Sequence, residues 1–319
     1  MKTREMTEAA MLSALFVVMS VIAITTGIGY SLYLDMVVPI IIGLIYLRCG
    51  FKYAVLSAIT SLLIIILGLG DMISAIWMSQ SVLLGFMCGI FIEKDTPGID
   101  DIVYCSIFGC VLMIFIDIYF SALTGISFIK EAQGYAAYLA NEFIKPQVIV
   151  YSLVACLPVG TVAVTYVGIL VLGNKLKLLK QYGKRKFTIV KNFRKYGYYL
   201  CSSKSLIFVG LIYLIGLEIL GLLNYTTDIT YIVTVVMAVK YMFLYVIIKD
   251  AYSFIGKYIY VKTKSKKMLR IVMLGSLVML VVSFRITSYA MILWSSYINL
   301  SLGMRAKQIK MLEDQILLG

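Results

Sequence analysis

Residues 102–123 read IVYCSIFGCVLMIFIDIYFSAL, a run of apolar residues that carries a single charge, Asp117. About 20 helical residues, rising 1.5 Å each, cross the core of a bilayer. Similar runs lie on both sides of it. Before it come Ala9 to Ile28, Asp35 to Leu47, Tyr53 to Leu67 and a fourth ending near Ile92. After it come Gln147 to Leu172, Ser205 to Leu223, Ile229 to Ile248, and a final segment, Ile271 to Leu300, interrupted by Arg285. Hydrophobic residues make up 61% of the chain and charged residues 14%, against about 25% charged in a soluble domain. The sequence therefore predicts an all-α polytopic transmembrane helical bundle of eight or nine spans.

Basic residues orient the bundle. With the N-terminus in the cytoplasm, the cytoplasmic segments hold 22 of the 29 Lys and Arg. The loop from Gly125 to Pro146 then falls outside and carries only Lys130 and Lys145. The first apolar run is longer than a signal h-region, and no small-residue cleavage site follows it, so it is read as the first span. Three domains are expected: a six-helix membrane domain over 1–173, a basic cytoplasmic linker over 174–204, and a C-terminal membrane domain over 205–319. In the linker, Phe187, Val190, Phe193, Tyr196 and Leu200 recur at helical spacing, with Lys186, Lys191, Arg194 and Lys195 on other faces. This predicts an in-plane amphipathic helix from Phe187 to Leu200, facing anionic lipids or a partner protein. The net charge of +13 therefore needs no nucleic acid as partner. The abundance of Lys, Ile and Tyr suits an AT-rich bacterial genome, which makes a bacterial plasma membrane the expected location.

Several chemistries are excluded by residue type. The chain has no histidine. Zinc sites of the H-E-x-x-H kind, Ser-His-Asp triads and Cys-His dyads are all ruled out. No phosphate loop of the form G-x-x-x-x-G-K-[ST] is present, so ATP-driven work would need a separate subunit. The six cysteines form no C-x-x-C pair and read as reduced packing residues. A non-enzyme without metal or cofactor is expected.

Charges within lipid-spanning helices are expensive, so each is a functional candidate. Asp117, Glu218, Lys240 and Arg285 meet that description. Glu218 and Lys240 fall at similar depths on successive antiparallel helices and are expected to form an ion pair. Arg285 is expected either within a long last span or snorkelling to water. On the outer side, Tyr30, Tyr33 and Asp35 form one group, Asp71, Trp77 and Gln80 a second, and Asp117, Tyr119, Lys130 and Gln133 a third. Of these, Asp35, Asp71, Trp77, Gln80 and Asp117 are the candidate ligand-binding residues. On the first helix, Ala9 with Ser13 and Ala10 with Ala14 make smooth strips that allow close helix approach.

The opening Thr7-Glu-Ala-Ala-Met-Leu-Ser-Ala-Leu15 resembles the first helix of the YybS-like family of bacterial membrane proteins, itself of unknown function. Pro39, Gly85, Gly89, Asp117, Pro158, Phe193-Arg194 and Leu302-Gly-Met-Arg305 agree with it in order and spacing. The first six helices of that family in turn resemble the S components of energy-coupling factor (ECF) transporters. That likeness covers about Met1 to Leu172. It implies a pocket for a vitamin or metal ion near the outer side of a six-helix bundle. It also implies docking of a T-type transmembrane subunit, driven by two ATPases, through Ala10 and Ala14. The departure is the C-terminal third, which an S component does not need. A membrane scaffold acting through basic surfaces at Lys184 to Lys195 and Lys262 to Lys267 is the alternative.

Overall fold

The computed structural model describes residues 2–27, 33–139, 145–223 and 229–317, and the regular structure among them is entirely helical. Helix α1 spans Lys2–Thr26. A π-helical turn at Tyr33–Val37 leads into α2, Val38–Leu69, with Pro39 in its first turn, where a missing N–H costs nothing. Helices α3 (Met72–Glu93), α4 (Gly98–Thr124), α5 (Phe128–Leu139) and α6 (Pro146–Lys175) follow. Beyond them come α7 (Gln181–Lys191), α8 (Phe193–Tyr196), α9 (Lys204–Leu222) and α10 (Thr230–Thr263). The chain closes with α11 (Lys266–Val282), α12 (Phe284–Leu302) and α13 (Met304–Leu317). Among the described residues, seven stretches are long and apolar enough to cross a membrane: Thr3–Thr26, Tyr33–Leu69, Met72–Glu93, Gly98–Thr124, Pro146–Lys175, Lys204–Leu222 and Thr230–Thr263. The chain is an integral membrane protein. Tyr30 lies outside the described residues.

The 37-residue stretch Tyr33–Leu69 holds both spans that the sequence separates at Arg48 and Lys52. Helical geometry is lost at Gly50, whose φ of 79° and ψ of 171° suit a residue without Cβ. Both sides of Gly50 sit at the start of α1, for Arg48 bonds Glu8 and the Ser57 hydroxyl donates to the Ala9 carbonyl. The arm before Gly50 runs alongside α3, with Pro39 against Gly85 and Tyr46 against Gly89. The arm after it ends at Gly70, where α3 begins. The two arms are therefore antiparallel, a hairpin turned at one glycine.

The chain forms two compact units, one of residues 1–191 with 229–239 and one of residues 192–228 with 240–319. In the first, Phe16, Val38, Ile42, Ile65 and Met78 form one buried cluster, and Leu84, Cys88, Val162, Ile169 and Leu170 another. In the second, Leu214, Leu244, Ile247 and Ile292 pack together, and Ala251, Ile255, Met291 and Ile298 form a neighbouring cluster. The six cysteines are free thiols, and five of them are buried.

Three expectations are corrected. The segment from Gly125 to Pro146, expected as an outer loop, contains a helix, α5, which buries Ile129, Ala132 and Ala136 along one side. The linker helix is not continuous from Phe187 to Leu200. Helix α7 starts earlier, at Gln181, and ends at Lys191; Asn192 has non-helical backbone, and only the single turn α8 follows. The last apolar segment is not one helix either. Ser283, at φ −138° and ψ 64°, separates α11 from α12, and neither belongs to the seven spanning stretches.

Candidate functional site

Among the candidate ligand residues, Asp71 stands at the start of α3 and Asp117 two turns before the end of α4, while Asp35 lies on the turn before α2, whose Pro39 meets Gly85 past the middle of α3. Asp71 is the N-cap of α3, and its carboxylate accepts from the Ser74 backbone N–H at 3.0 Å and from the Ser74 hydroxyl. Such a cap satisfies a donor that the helix itself leaves open. Asp117 does the same for α5. Its buried carboxylate accepts from the Phe128 N–H at 2.6 Å and the Ser127 hydroxyl at 2.8 Å. Negative charge there also meets the positive end of the helix dipole. These two acids frame the site rather than standing free in it.

Trp77 stacks edge-on against Phe120, with ring centroids 5.1 Å apart, and so ties α3 to α4 one turn beyond Asp117. Gln80, one turn further along α3, is half-buried, and Asp35 is exposed on the π-helical turn. Tyr33 turns inward instead: its hydroxyl shares a 2.7 Å hydrogen bond with Ser20 and donates to the Phe16 carbonyl. Tyr119, Lys130 and Gln133 are exposed on the outside of α4 and α5.

Helix α1 has two dissimilar sides. Ala9, Phe16, Ser20 and Ala23 are buried in the unit. Ala10 and Ala14 are exposed, among the exposed Met6, Met11, Leu15 and Val18. Of the other strip, Ala9 is buried and Ser13 half-buried, its hydroxyl donating to the Ala9 carbonyl, while the Ala10 and Ala14 strip is open.

In the second unit, Lys240 Nζ lies 3.2 Å from Glu218 Oε1, the expected pair. A third charge joins it. Arg285 Nη2 lies 2.7 Å from Glu218 Oε2, and the Tyr289 hydroxyl also bonds Glu218. Arg285 therefore pairs within the unit rather than merely snorkelling.

A buried ion pair went unseen in the sequence. Lys186 on α7 lies 2.7 Å from the Asp101 carboxylate on α4, with both side chains almost fully buried. Its ammonium also donates to the Phe91 carbonyl at 2.7 Å and the Lys94 carbonyl at 2.8 Å, at the end of α3. Asp101 accepts further from Thr96 and Tyr166. All three ammonium protons are used, the condition under which a buried lysine stays tolerable. Burial pushes the Lys186 amine below its usual range, and the Asp101 carboxylate opposes that shift. The sequence puts Lys186 on a face apart from the apolar residues of the linker, and the structure buries it against α3 and α4. The legible sign was Gly183, one turn earlier on the same face. A Cβ there would lie only 3.3 Å from Ile92, so the glycine lets α7 close onto α3.

The remaining basic residues of this region, Lys184, Lys191, Arg194 and Lys195, are exposed, as are Lys262, Lys264, Lys266 and Lys267 in the second unit. No protein-family model, curated protein or solved structure matches the chain.

Proposed function

We propose that this chain is a multi-pass plasma-membrane protein serving as the ligand-binding subunit of a transporter of the ECF kind. The observation that carries this reading is the exposure of Ala10 and Ala14 on α1, next to Ala9, which is buried in the bundle. Small residues four apart let a partner helix approach closely, and close packing drives association where both solvents are apolar. The partner is a T-type transmembrane subunit. ATPases bound to that subunit supply the energy, since this chain has no phosphate loop.

Topology supports the same reading. A helix of 37 residues would be about 55 Å long, nearly twice the bilayer core, so the hairpin at Gly50 counts as two passes. The seven stretches then make eight passes. The N-terminus is cytoplasmic, and the first unit is a six-pass bundle. Its ligand end faces outward, with Asp35, Trp77 and Gln80 as contacts and Asp71 and Asp117 holding the helix ends around them. In the second unit, Arg285 lies beside Glu218 while Arg305 reaches the Ser203 carbonyl. Helix α12 therefore returns to the end where α9 begins, and in this reading α13 is cytoplasmic too.

The second reading is a membrane scaffold, favoured by the exposed lysines at 184–195 and 262–267. An affinity pull-down from native membranes in mild detergent separates the two. Recovery of a T-type subunit with paired ATPases, lost in Ala10→Leu with Ala14→Leu, is the expected outcome. A stable, monodisperse sample that brings down neither contradicts transport and leaves the basic surfaces as the working face.

A further inference from the structure

In the second unit, Asp250 is a buried carboxylate on α10. Its Oδ2 accepts from the Ser202 N–H at 3.0 Å and lies 3.3 Å from Arg305 Nη2 on α13. Its Oδ1 lies 3.3 Å from Lys249 Nζ. The Arg305 guanidinium is 3% exposed and also donates to the Ser203 carbonyl at 2.9 Å. Lys257, two turns after Asp250 on the same helix, is buried as well and donates to the Tyr198 carbonyl at 2.6 Å. Two cations thus contact one carboxylate, and a third lies two turns away on the same helix.

The cluster also leaves polar atoms unmatched. Among the described residues, Arg305 Nε, Ser202 Oγ and both amide atoms of Gln308 are buried without a hydrogen-bond partner. Gln308 follows Arg305 by three residues and shares its side of α13. Ser202 and Arg305 both bond the same carboxylate oxygen. Three of the four unmatched atoms are donors: a guanidinium N–H, a hydroxyl and an amide NH₂. Buried polar groups without partners and buried uncompensated charge each cost free energy. A bound anion with several acceptor oxygens relieves both costs at once. The N-termini of α9 and α13 add their positive ends to the same place. Half-exposed Lys249 marks the open edge.

We infer that Ser202, Lys249, Lys257, Arg305 and Gln308 form a binding site for a phosphoryl group, taken either from a phospholipid headgroup or from free inorganic phosphate. Asp250 is the internal counter-charge that positions Arg305 and the segment before α9. The site does not depend on the transporter reading, because it lies wholly within the second unit.

The test uses the full-length protein and its thermal unfolding. One arm adds inorganic phosphate in detergent against chloride at matched ionic strength. The other compares nanodiscs of phosphatidylglycerol with nanodiscs of a phosphate-free diglucosyl lipid. The expected result is a rise in melting midpoint in at least one arm, with apparent affinity about tenfold weaker in Gln308→Leu and in Ser202→Ala. A rise with phosphate alone assigns the site to the free anion, and a rise with phosphatidylglycerol alone assigns it to the headgroup. No rise over the controls in either arm overturns the proposal and leaves the unmatched atoms to water. A rise that both variants keep in full also overturns it, since the phosphoryl group then binds elsewhere.

Discussion

Gly85 marks a contact that hydropathy cannot describe. A Cβ built there would lie 2.3 Å from the Pro39 carbonyl oxygen and 2.9 Å from its Cα, so α2 and α3 touch backbone to backbone. The obstacle is main chain, which cannot rotate away as a side chain does. Gly85→Ala is expected to destabilise the protein by about 3 kcal/mol, the upper part of the range for overpacking. Gly134→Ala on α5, where nothing lies within 4 Å, is the matched control. It is expected to be neutral or slightly stabilising, because alanine favours the helix. Thermal unfolding of the two variants in one detergent checks the pair; equal midpoints would contradict the close approach. Single residues also show where reading by type stops. Asp71 and Asp117 stand out in apolar sequence as candidate ligands, yet each caps a helix. Composition reveals that a carboxylate is costly in such a place but not which donor repays it.

Among elements, α7 is held to the bundle mainly through Lys186. Its ammonium joins the Asp101 carboxylate on α4 to the last carbonyls of α3, and so pins the linker to two spans. Lys186→Met leaves the Asp101 carboxylate buried without its counter-charge and is expected to cost about 3–5 kcal/mol. Asp101→Leu combined with Lys186→Met removes both charges and is expected to recover most of that loss. A double-mutant cycle by thermal unfolding measures the coupling; additive losses would show that the two side chains act separately. Most spans were legible in the sequence, since runs such as residues 102–123 need only length and apolarity to be recognised. The hairpin at Gly50 was legible too, because Arg48 and Lys52 mark a polar end between two apolar runs. Helix α5 was missed because its buried face is only Ile129, Ala132 and Ala136, too weak a stripe to stand out. The break at Asn192 was missed because the apolar spacing of Phe187, Val190 and Phe193 continues across it. Phe193 is exposed, so that spacing reported no shared face.

At the scale of the whole molecule, the proposed topology has α1 starting and α13 lying on the cytoplasmic side and α5 outside. Cysteine substitutions at exposed Gln133, Lys264 and Lys307, made one at a time in a cysteine-free background, test this with a membrane-impermeant maleimide. Gln133→Cys is expected to react in intact cells, and Lys264→Cys and Lys307→Cys only after the membrane is opened. Reaction of Lys307→Cys in intact cells would place the C-terminus outside and break the return of α12. Burial pushes the Cys201 thiol up to about 11, so it stays protonated near neutral pH. The pair of charges at Glu218 and Lys240 was legible because charge in an apolar span is rare. The donor-rich cluster around Asp250 was not, because Lys249 and Lys257 read as members of a solvated basic run, and Arg305 and Gln308 lie some fifty residues further on. The central claim is that the open face of α1 docks a second membrane protein. The most direct test is a photo-crosslinking residue at Ala14, activated in native membranes, with mass spectrometry of the adduct. An adduct to a T-type transmembrane subunit is the predicted result; a well-inserted protein that crosslinks to lipid alone at Ala14 would contradict it.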